Sequence, residues 1–273
     1  MLSTWEAAYR IVGWKAYIFP APSQIVDAGL SQLNIDTHFG DPIHRGWPRR
    51  SVREDAADDR ESILTSPLII ANAVSALRLL VGFAISILLG AALGLAMWRW
   101  VEIDRLLGPV FLGMQTLPSV CWVPLGMLLF GLNEIGILFV LVMGSCFAIS
   151  IALRDGLRTI PPVYQRAGLM LGARGWRLYR YVLLPASLPA LASSLRQGFS
   201  FAWRSLMGAE LILEGVKHKG LGFLLDSGRA NLNIALVVAI MAMMVLLGML
   251  ADRFGFAILE KRVHARFGLT AAR

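Results

Sequence analysis

Charged residues are scarce in this chain of 273 residues, at 16% of the composition against roughly 25% in an ordinary soluble domain. Hydrophobic residues make up 56%, and the mean hydropathy is +0.62. A chain this apolar cannot cover itself with polar surface in water. The composition therefore argues against a soluble globular protein and favours a protein embedded in a lipid bilayer.

Cysteine and histidine are also rare, and neither is clustered. Cys121 and Cys146 lie in apolar runs, and the four histidines show no metal-ligand spacing, so neither a disulfide scaffold nor a zinc site is supported. The sequence has no G-x-x-x-x-G-K-[ST] phosphate loop, no H-E-x-x-H motif and no G-x-S-x-G motif. We therefore predict no catalytic residue, no metal site and no cofactor bound by this chain itself.

What the sequence does have is long runs without Asp, Glu, Lys or Arg. A helix needs about 20 apolar residues to cross the hydrocarbon core of a bilayer. Four runs, at 79–98, 106–133, 135–153 and 230–251, meet this need, and the first belongs to a span over about 66–97. A fifth span, about 189–213, is apolar apart from three charged residues. The predicted fold class is an all-α membrane protein, a polytopic bundle of five to six transmembrane helices.

Residues 1–65 are predicted to form an N-terminal segment distinct from the transmembrane domain at 66–273. Residues 1–19 are short and charged, but their tryptophans and tyrosines favour a helix lying in the membrane interface, or a partial first helix. Residues 31–62 are polar and turn-rich, which is typical of an external loop or a partly disordered insertion.

The net charge of +8 is concentrated in the loops that this topology places on one side. The loop between the charge-free run at 135–153 and the fifth span, about 189–213, carries one acid and six arginines: Arg154, Arg158, Arg166, Arg174, Arg177 and Arg180. The tail after residue 251 is also basic and falls on the same side. Because cytoplasmic loops carry an excess of Lys and Arg, we predict that this loop and the C-terminus are cytoplasmic. This asymmetry explains the positive charge better than nucleic-acid binding does, and it predicts contact with membrane lipid.

The basic loop is predicted to contain a short helix at about 163–171. Pro161 and Pro162 suit a helix start, and Gly172 suits a helix end. Helically spaced aromatic residues then predict a segment along the membrane face until the chain turns inward at Pro185. Two interpretations stay open from the residues alone: a helix gripped by a partner protein, or a basic loop bound to anionic headgroups.

Charged and helix-breaking residues inside the predicted spans are candidates for a solute pathway. The candidate pathway residues are Pro118, Trp122, Pro124, Arg204 and Glu210. Glu210 is expected to find its partner on another helix. For Arg78 and Arg196, helix-to-helix pairing or snorkelling toward an interface is favoured over a pathway role. The repeat Gly90-x-x-x-Gly94 predicts close helix packing.

The basic loop resembles the signature of inner-membrane permease subunits of ABC importers, E-A-A-x-x-x-G followed nine residues later by I-x-L-P. Its glycine matches Gly172, its second and third positions fall on Ala167 and Gly168, and its terminal proline is Pro185. The acidic position is Arg166, so the ion pair of the family's glutamate is absent or reversed here. Ordered matches to the nitrate, sulfonate, taurine and bicarbonate branch are FPAPS at 19–23, SALRLLVGF at 75–83, LPSVCWVPL at 117–125 and LRQGFSFAW at 195–203.

This resemblance implies the permease subunit of an ATP-driven uptake transporter in the bacterial inner membrane, moving a small solute such as a sulfonate, taurine, nitrate or bicarbonate. The loop at 154–186 would then hold the coupling helix, with the coupling residues Arg166, Ala167, Gly168, Gly172 and Pro185. Implied partners are two ATPase subunits that bind ATP and Mg²⁺, an extracytoplasmic substrate-binding protein and a second permease copy. The alternative is an ATP-independent channel or carrier whose basic loop only binds lipid. A membrane-embedded enzyme is disfavoured because no acid, base or metal constellation is visible.

Overall fold

The computed structural model describes residues 5–6, 9, 20–32, 66–213 and 218–266. The predictions for residues 1–19 and 31–62 lie almost wholly outside these ranges. The chain divides into two compact units, residues 1–75 with 218–244, and residues 76–217 with 245–273. The boundary predicted at residue 65 stays a prediction.

The described residues are almost entirely helical, which confirms the predicted fold class. Three helices are long and apolar enough to cross a membrane, or four if one bent pair is a single span. The α-helices are α1 (Pro22–Ser31), α2 (Pro67–Arg99), α3 (Val101–Thr116), α4 (Val123–Phe130), α5 (Glu134–Arg158), α6 (Pro162–Met170), α7 (Trp176–Leu178), α8 (Leu184–Ile212), α9 (Leu221–Ala230), α10 (Ile234–Leu250) and α11 (Ala257–Arg266). Short π-helical segments, Tyr179–Leu183 and Ala251–Phe256, connect α7 to α8 and α10 to α11.

The proline-rich second run is broken, as the sequence predicts. Helix α3 ends at Thr116, and a 3-10 turn at Ser119–Trp122 leads into α4. The two halves are bent by 105°. Pro118 precedes the 3-10 turn and Pro124 lies in the first turn of α4, where its missing N–H costs no helical hydrogen bond.

In the first unit, α1 packs beside α10. A Cβ added to Gly29 would lie in ordinary contact with Ala239, 3.6 Å from its Cβ. The Glu6 carboxylate accepts a hydrogen bond from the Ser23 hydroxyl at 3.1 Å. The backbone N–H of Leu221, at the start of α9, donates to the Ser75 hydroxyl at 2.9 Å. The first hydrogen bond joins Glu6 to the start of α1, and the second joins the start of α9 to α2.

In the second unit, α5 and α8 form the most extensive helix pair and run antiparallel. Glycines allow this close approach, because a Cβ in their place would overlap the facing helix. The three contacts, with the distance from the added Cβ, are Gly144 to the Ser205 hydroxyl at 2.0 Å, Gly198 to Ile149 at 2.5 Å and Gly156 to Ala190 at 2.5 Å. The core of this unit is built around the same pair, with Val140, Leu141, Ala202 and Leu206 fully buried.

Helices α2 and α5 run parallel and touch through a second row of small residues. Gly90 approaches Ile149, and Gly94 approaches the backbone of Ser150, so that an added Cβ would lie 2.9 Å and 2.7 Å away. The repeat Gly90-x-x-x-Gly94 is therefore a packing motif, as predicted. The same two helices share a hydrogen bond, in which the Ser145 hydroxyl of α5 donates to the Ser86 hydroxyl of α2 at 2.8 Å.

An ion cluster that is buried at Arg78 and Glu210 and partly exposed at Glu134 joins α2, α5 and α8. The guanidinium of Arg78 donates to both carboxylate oxygens of Glu134, at 2.6 and 2.7 Å, and to Glu210 at 2.8 Å. The side chains of Arg78 and Glu210 are 7% and 1% exposed. Glu210 thus has its partner on another helix, as expected from the sequence. The pairing expected for Arg196 is also present, with Asp252 at 2.6 Å and Glu260 at 2.9 Å.

One expectation about the basic loop is wrong. The chain does not turn at Pro185, because α7, the π-helical segment Tyr179–Leu183 and α8 follow one another without a break. Pro185 lies in the first turn of α8. The π-helical turn before it changes the hydrogen-bonding register, so the helix accommodates a residue that lacks an N–H.

Removing the shared cation of the ion cluster should destabilise the protein. In Arg78→Gln, Glu134 loses its bidentate partner and both carboxylates lose their cation. The expected loss is about 3 to 5 kcal/mol in the free energy of unfolding. The measurement is the free energy of unfolding in mixed micelles titrated with SDS. Arg105→Gln is the matched control, because Arg105 is exposed and makes no ion pair among the described residues. Equal stabilities of the two variants would contradict the structural role of the cluster.

Candidate functional site

Helix α6, at Pro162–Met170, is the short helix predicted at 163–171. Pro162 occupies its first position, where the orphan N–H is dispensable. At the other end Gly172 has φ +82°, its N–H donates to the carbonyl of Leu169, and the N–H of Ala173 donates to the carbonyl of Gly168, both at 3.0 Å. This is a Schellman motif, and it explains why a glycine stands at this position.

Gly168 fixes the position of α6 against the helix that follows it. It is the buried residue of α6. A Cβ at this position would lie 2.7 Å from Leu178 and 3.0 Å from Val182. A larger side chain here would require the methyl groups of Leu178 and Val182 to shift. Glycine at the third signature position therefore allows a close approach of α6 to α7 and the π-helical segment.

The remainder of α6 is exposed and partly apolar. Residues 161–167 are all exposed, including Arg166 and Ala167. Five large apolar side chains in and directly after α6 are also exposed: Val163, Tyr164, Leu169, Met170 and Leu171. Arg166 makes no ion pair among the described residues. An exposed apolar surface on a short, fixed helix is typical of a protein–protein contact.

A carboxylate holds the end of α5 that leads into α6. Asp104, near the start of α3, accepts from Arg154 at 3.0 Å and from Arg158 at 2.8 Å. Arg154 also donates to Asp155 at 2.8 Å. Helix α5 ends at Arg158, only a few residues before α6 begins. The coupling region is thus tied to α3 by charge and to α8 by close packing.

Three of the five candidate pathway residues line one cavity of about 290 Å³ beside the break between α3 and α4. They are Pro118, Trp122 and Arg204. Gln115 and Ser119 also line it, and Gly144 lies where α5 meets α8. No acidic residue is part of the lining that the structure describes. Glu210 and Pro124 do not line this cavity, since Glu210 belongs to the ion cluster with Arg78.

A larger cavity of about 850 Å³ lies beside the coupling region. Trp98, Arg99 and Trp100 at the end of α2 line it together with Gln165 of α6. None of the candidate pathway residues lines it. Among the described residues, no group of three or more His, Cys, Asp or Glu could hold a metal ion.

Comparisons with known proteins identify the family of this chain. Residues 67–265 match the family model described as binding-protein-dependent transport system inner membrane component. The chain belongs to this family. Its members are ABC transporter permeases of the inner membrane, so the chain is a multi-pass inner-membrane protein.

Curated relatives place the permease more closely. A putative ABC transporter permease of Methanocaldococcus jannaschii is 30% identical over 69% of this chain and 70% of its own. A putative aliphatic sulfonates transport permease of Escherichia coli is 33% identical over 66% and 67%. A bicarbonate transport system permease of Synechococcus elongatus is 26% identical over 65% of this chain, and the match spans 63% of that relative.

A solved structure of the MetNI methionine ABC transporter, in an inward-facing conformation, shares the fold. It matches with a TM-score of 0.61 at 19% identity, over 72% of this chain and 96% of that chain. At this identity the likeness establishes the helical architecture.

Sequence reasoning missed Glu134 and Asp104. Glu134 stands between two charge-free runs. Its signal was the unbalanced Arg78 in the first span, which required an acid at the same depth. The sequence indicates the role of Asp104 less clearly, because the loop arginines it pairs with lie about fifty residues later in the chain.

Replacing Gly172 should loosen the end of α6 without unfolding the permease. Gly172→Ala meets no atom within 4 Å, but its φ of +82° costs an L-residue roughly 1 to 2 kcal/mol. Amide hydrogen exchange in detergent micelles should accelerate at residues 171–173. Gly172→Asn should exchange more slowly than Gly172→Ala, because Asn tolerates this conformation. Gly255→Ala is the control, since Gly255 also has open space but no positive φ. If Gly172→Ala exchanged like the control, the helix end would not depend on glycine.

Proposed function

We propose that this permease is the membrane subunit of an ATP-driven ABC uptake transporter that imports a small anion. The observation that carries the proposal is helix α6, which is exposed, partly apolar and fixed at both ends, within the region that matches the permease family. The relatives named for bicarbonate, nitrate, taurine and sulfonates support a small anionic solute.

The partner of α6 is an ATPase subunit. The charge pattern of the loop at 154–186 supports its cytoplasmic position, together with the C-terminus, where ATP is available. Two ATPase subunits, each binding ATP and Mg²⁺, would contact the α6 helices of two permease copies. The opposite membrane face would receive a substrate-binding protein. Arg166 replaces the acid of the family signature, so the contact on this surface is predicted to involve an acidic group of the ATPase.

The contacts around α6 support a route from ATP to the membrane interior. A displacement of α6 moves α5 through the short connection at 159–161, and moves α8 through the packing of Gly168 on Leu178 and Val182. Helices α5 and α8 are also the pair that meets at Gly144 and Ser205, beside the 290 Å³ cavity. Closure of the ATPases would therefore shift the two helices that border the cavity, as a rigid-body change between two packed arrangements.

Disrupting the exposed surface of α6 should remove the ATPase without unfolding the permease. Met170 is 87% exposed, so Met170→Asp costs this chain no core packing but places a charge in an apolar contact. The measurement is co-purification of the ATPase subunit with the tagged permease, followed by ATP-driven uptake into proteoliposomes. Both are expected to fall by roughly tenfold or more.

Leu232→Asp is the matched control for this experiment. Leu232 is 74% exposed and has φ 55°, which Asp tolerates, and it lies in the loop between α9 and α10, at the opposite face in the proposed topology. This variant should retain its ATPase. Retention of the ATPase by both variants would contradict docking on α6, and uptake that persists in a permease stripped of ATPase would identify an ATP-independent carrier.

A further inference from the structure

Arg204 differs in its partners from the other charged residues of the predicted first and fifth spans. Arg78, Arg196 and Glu210 each pair with an opposite charge on another helix. Among the described residues, Arg204 contacts no carboxylate. Its Nε donates to the carbonyl of Ser200 at 3.0 Å, and its guanidinium lies 4.7 Å from the centre of the Phe201 ring. Both partners belong to its own helix, and neither neutralises its charge.

The position of Arg204 along the helices places it near the middle of the membrane. Its neighbour Ser205 meets Gly144, which lies ten residues after the start of α5. At about 1.5 Å per residue, Gly144 lies roughly 15 Å from the start of α5. This distance is about half the thickness of the hydrocarbon core. A lipid headgroup does not reach this depth. An arginine held there without a counter-charge needs another anion, and by default marks a functional site.

Further donors converge on the same cavity. Gln115 and Ser119 line it, and within the described part of the chain neither side chain makes a hydrogen bond to the protein. Arg204 uses one of its five N–H groups. The lining thus offers a cation, an amide and a hydroxyl, and the described lining contains no acid that would repel an anion.

The size of the cavity limits what it can hold. Its volume of about 290 Å³ lies just below the range for small-molecule pockets, which starts at about 300 Å³. Trp122 and Phe201 give the rest of the wall an apolar character that would accept a short alkyl group. These dimensions suit a planar or tetrahedral oxoanion carrying one negative charge, bare or with a short alkyl tail.

We propose that Arg204, Gln115 and Ser119 form an oxoanion-binding site within the permease itself, with Arg204 as the residue that selects for negative charge. This inference rests on the proposed function and names where the transported anion is recognised after its delivery. Two N–H groups of the guanidinium would engage two oxygens of the anion, a geometry that lysine cannot reproduce. The permease thereby adds a second selection step to that of the binding protein.

The test uses the purified complex of permease and ATPase in lipid nanodiscs. Sodium nitrate, sodium bicarbonate and sodium methanesulfonate are titrated separately against sodium gluconate at constant ionic strength, and binding is measured by isothermal titration calorimetry. At least one of the three anions should bind to the unsubstituted complex. Arg204→Gln should weaken that binding by roughly tenfold to a hundredfold, and Arg204→Lys by less.

Two further variants distinguish a specific anion-binding site from a general effect of removing positive charge. Ser119→Ala should weaken binding of the same anion by a few-fold, because it removes one neutral donor of the site. Arg105→Gln removes the same charge from an exposed position of α3 outside the cavity, and should bind the anion like the unsubstituted complex. Every variant is checked for co-purification of the ATPase, and Arg105→Gln should also leave basal ATP hydrolysis unchanged.

The outcomes distinguish this inference from the function on which it rests. Failure of the unsubstituted permease to bring down an ATPase would overturn the proposed function. An intact, hydrolysing complex that binds none of the three anions would overturn the binding site alone. Equal weakening by Arg204→Gln and Arg105→Gln, or no weakening by Arg204→Gln, would do the same.

Discussion

A charge inside a bilayer must be paired, and the Arg78 cluster shows how this permease meets that requirement. One guanidinium holds Glu134 and Glu210 and so joins α2, α5 and α8, with Arg78 and Glu210 buried and Glu134 partly exposed. Arg196 follows the same rule with Asp252 and Glu260. Against this background the position of Arg204 is distinctive, because its charge faces a cavity and no carboxylate among the described residues.

The ion cluster and the glycine contacts hold α5 and α8 together, and this helix pair contacts both α6 and the 290 Å³ cavity. At one end these helices receive α6, through the short connection after Arg158 and through Gly168. Near the middle they approach at Gly144 and border the cavity. Because packed helices of this kind have discrete arrangements and do not deform continuously, the proposed movement of α6 would change the surroundings of Arg204.

Much of this architecture was predictable from the sequence. Charge-free runs predicted the spans, the prolines predicted the break near Pro118, and Gly172 predicted the end of α6 within a residue or two. Long-range pairing was not predictable in detail, since nothing local links Arg78 to acids 56 and 132 residues away. The helical run through Pro185 was missed because a π-helical turn has no clear sequence signal. The cavity depends on helices α3, α5 and α8 meeting at one depth, which no single segment encodes.

If ATPase closure shifts α5 and α8 as proposed, the cavity beside Arg204 opens to opposite membrane faces in the two states of the ATPases. The direct measurement is labelling of Ser119→Cys by a membrane-impermeant thiol reagent, in a Cys121→Ser background that leaves only the buried Cys146. Reconstituted complexes are compared without nucleotide and with ATP and vanadate. We expect labelling from the α6 side without nucleotide and from the opposite side in the trapped state. Labelling that is independent of nucleotide, or that never occurs from either side, would contradict it.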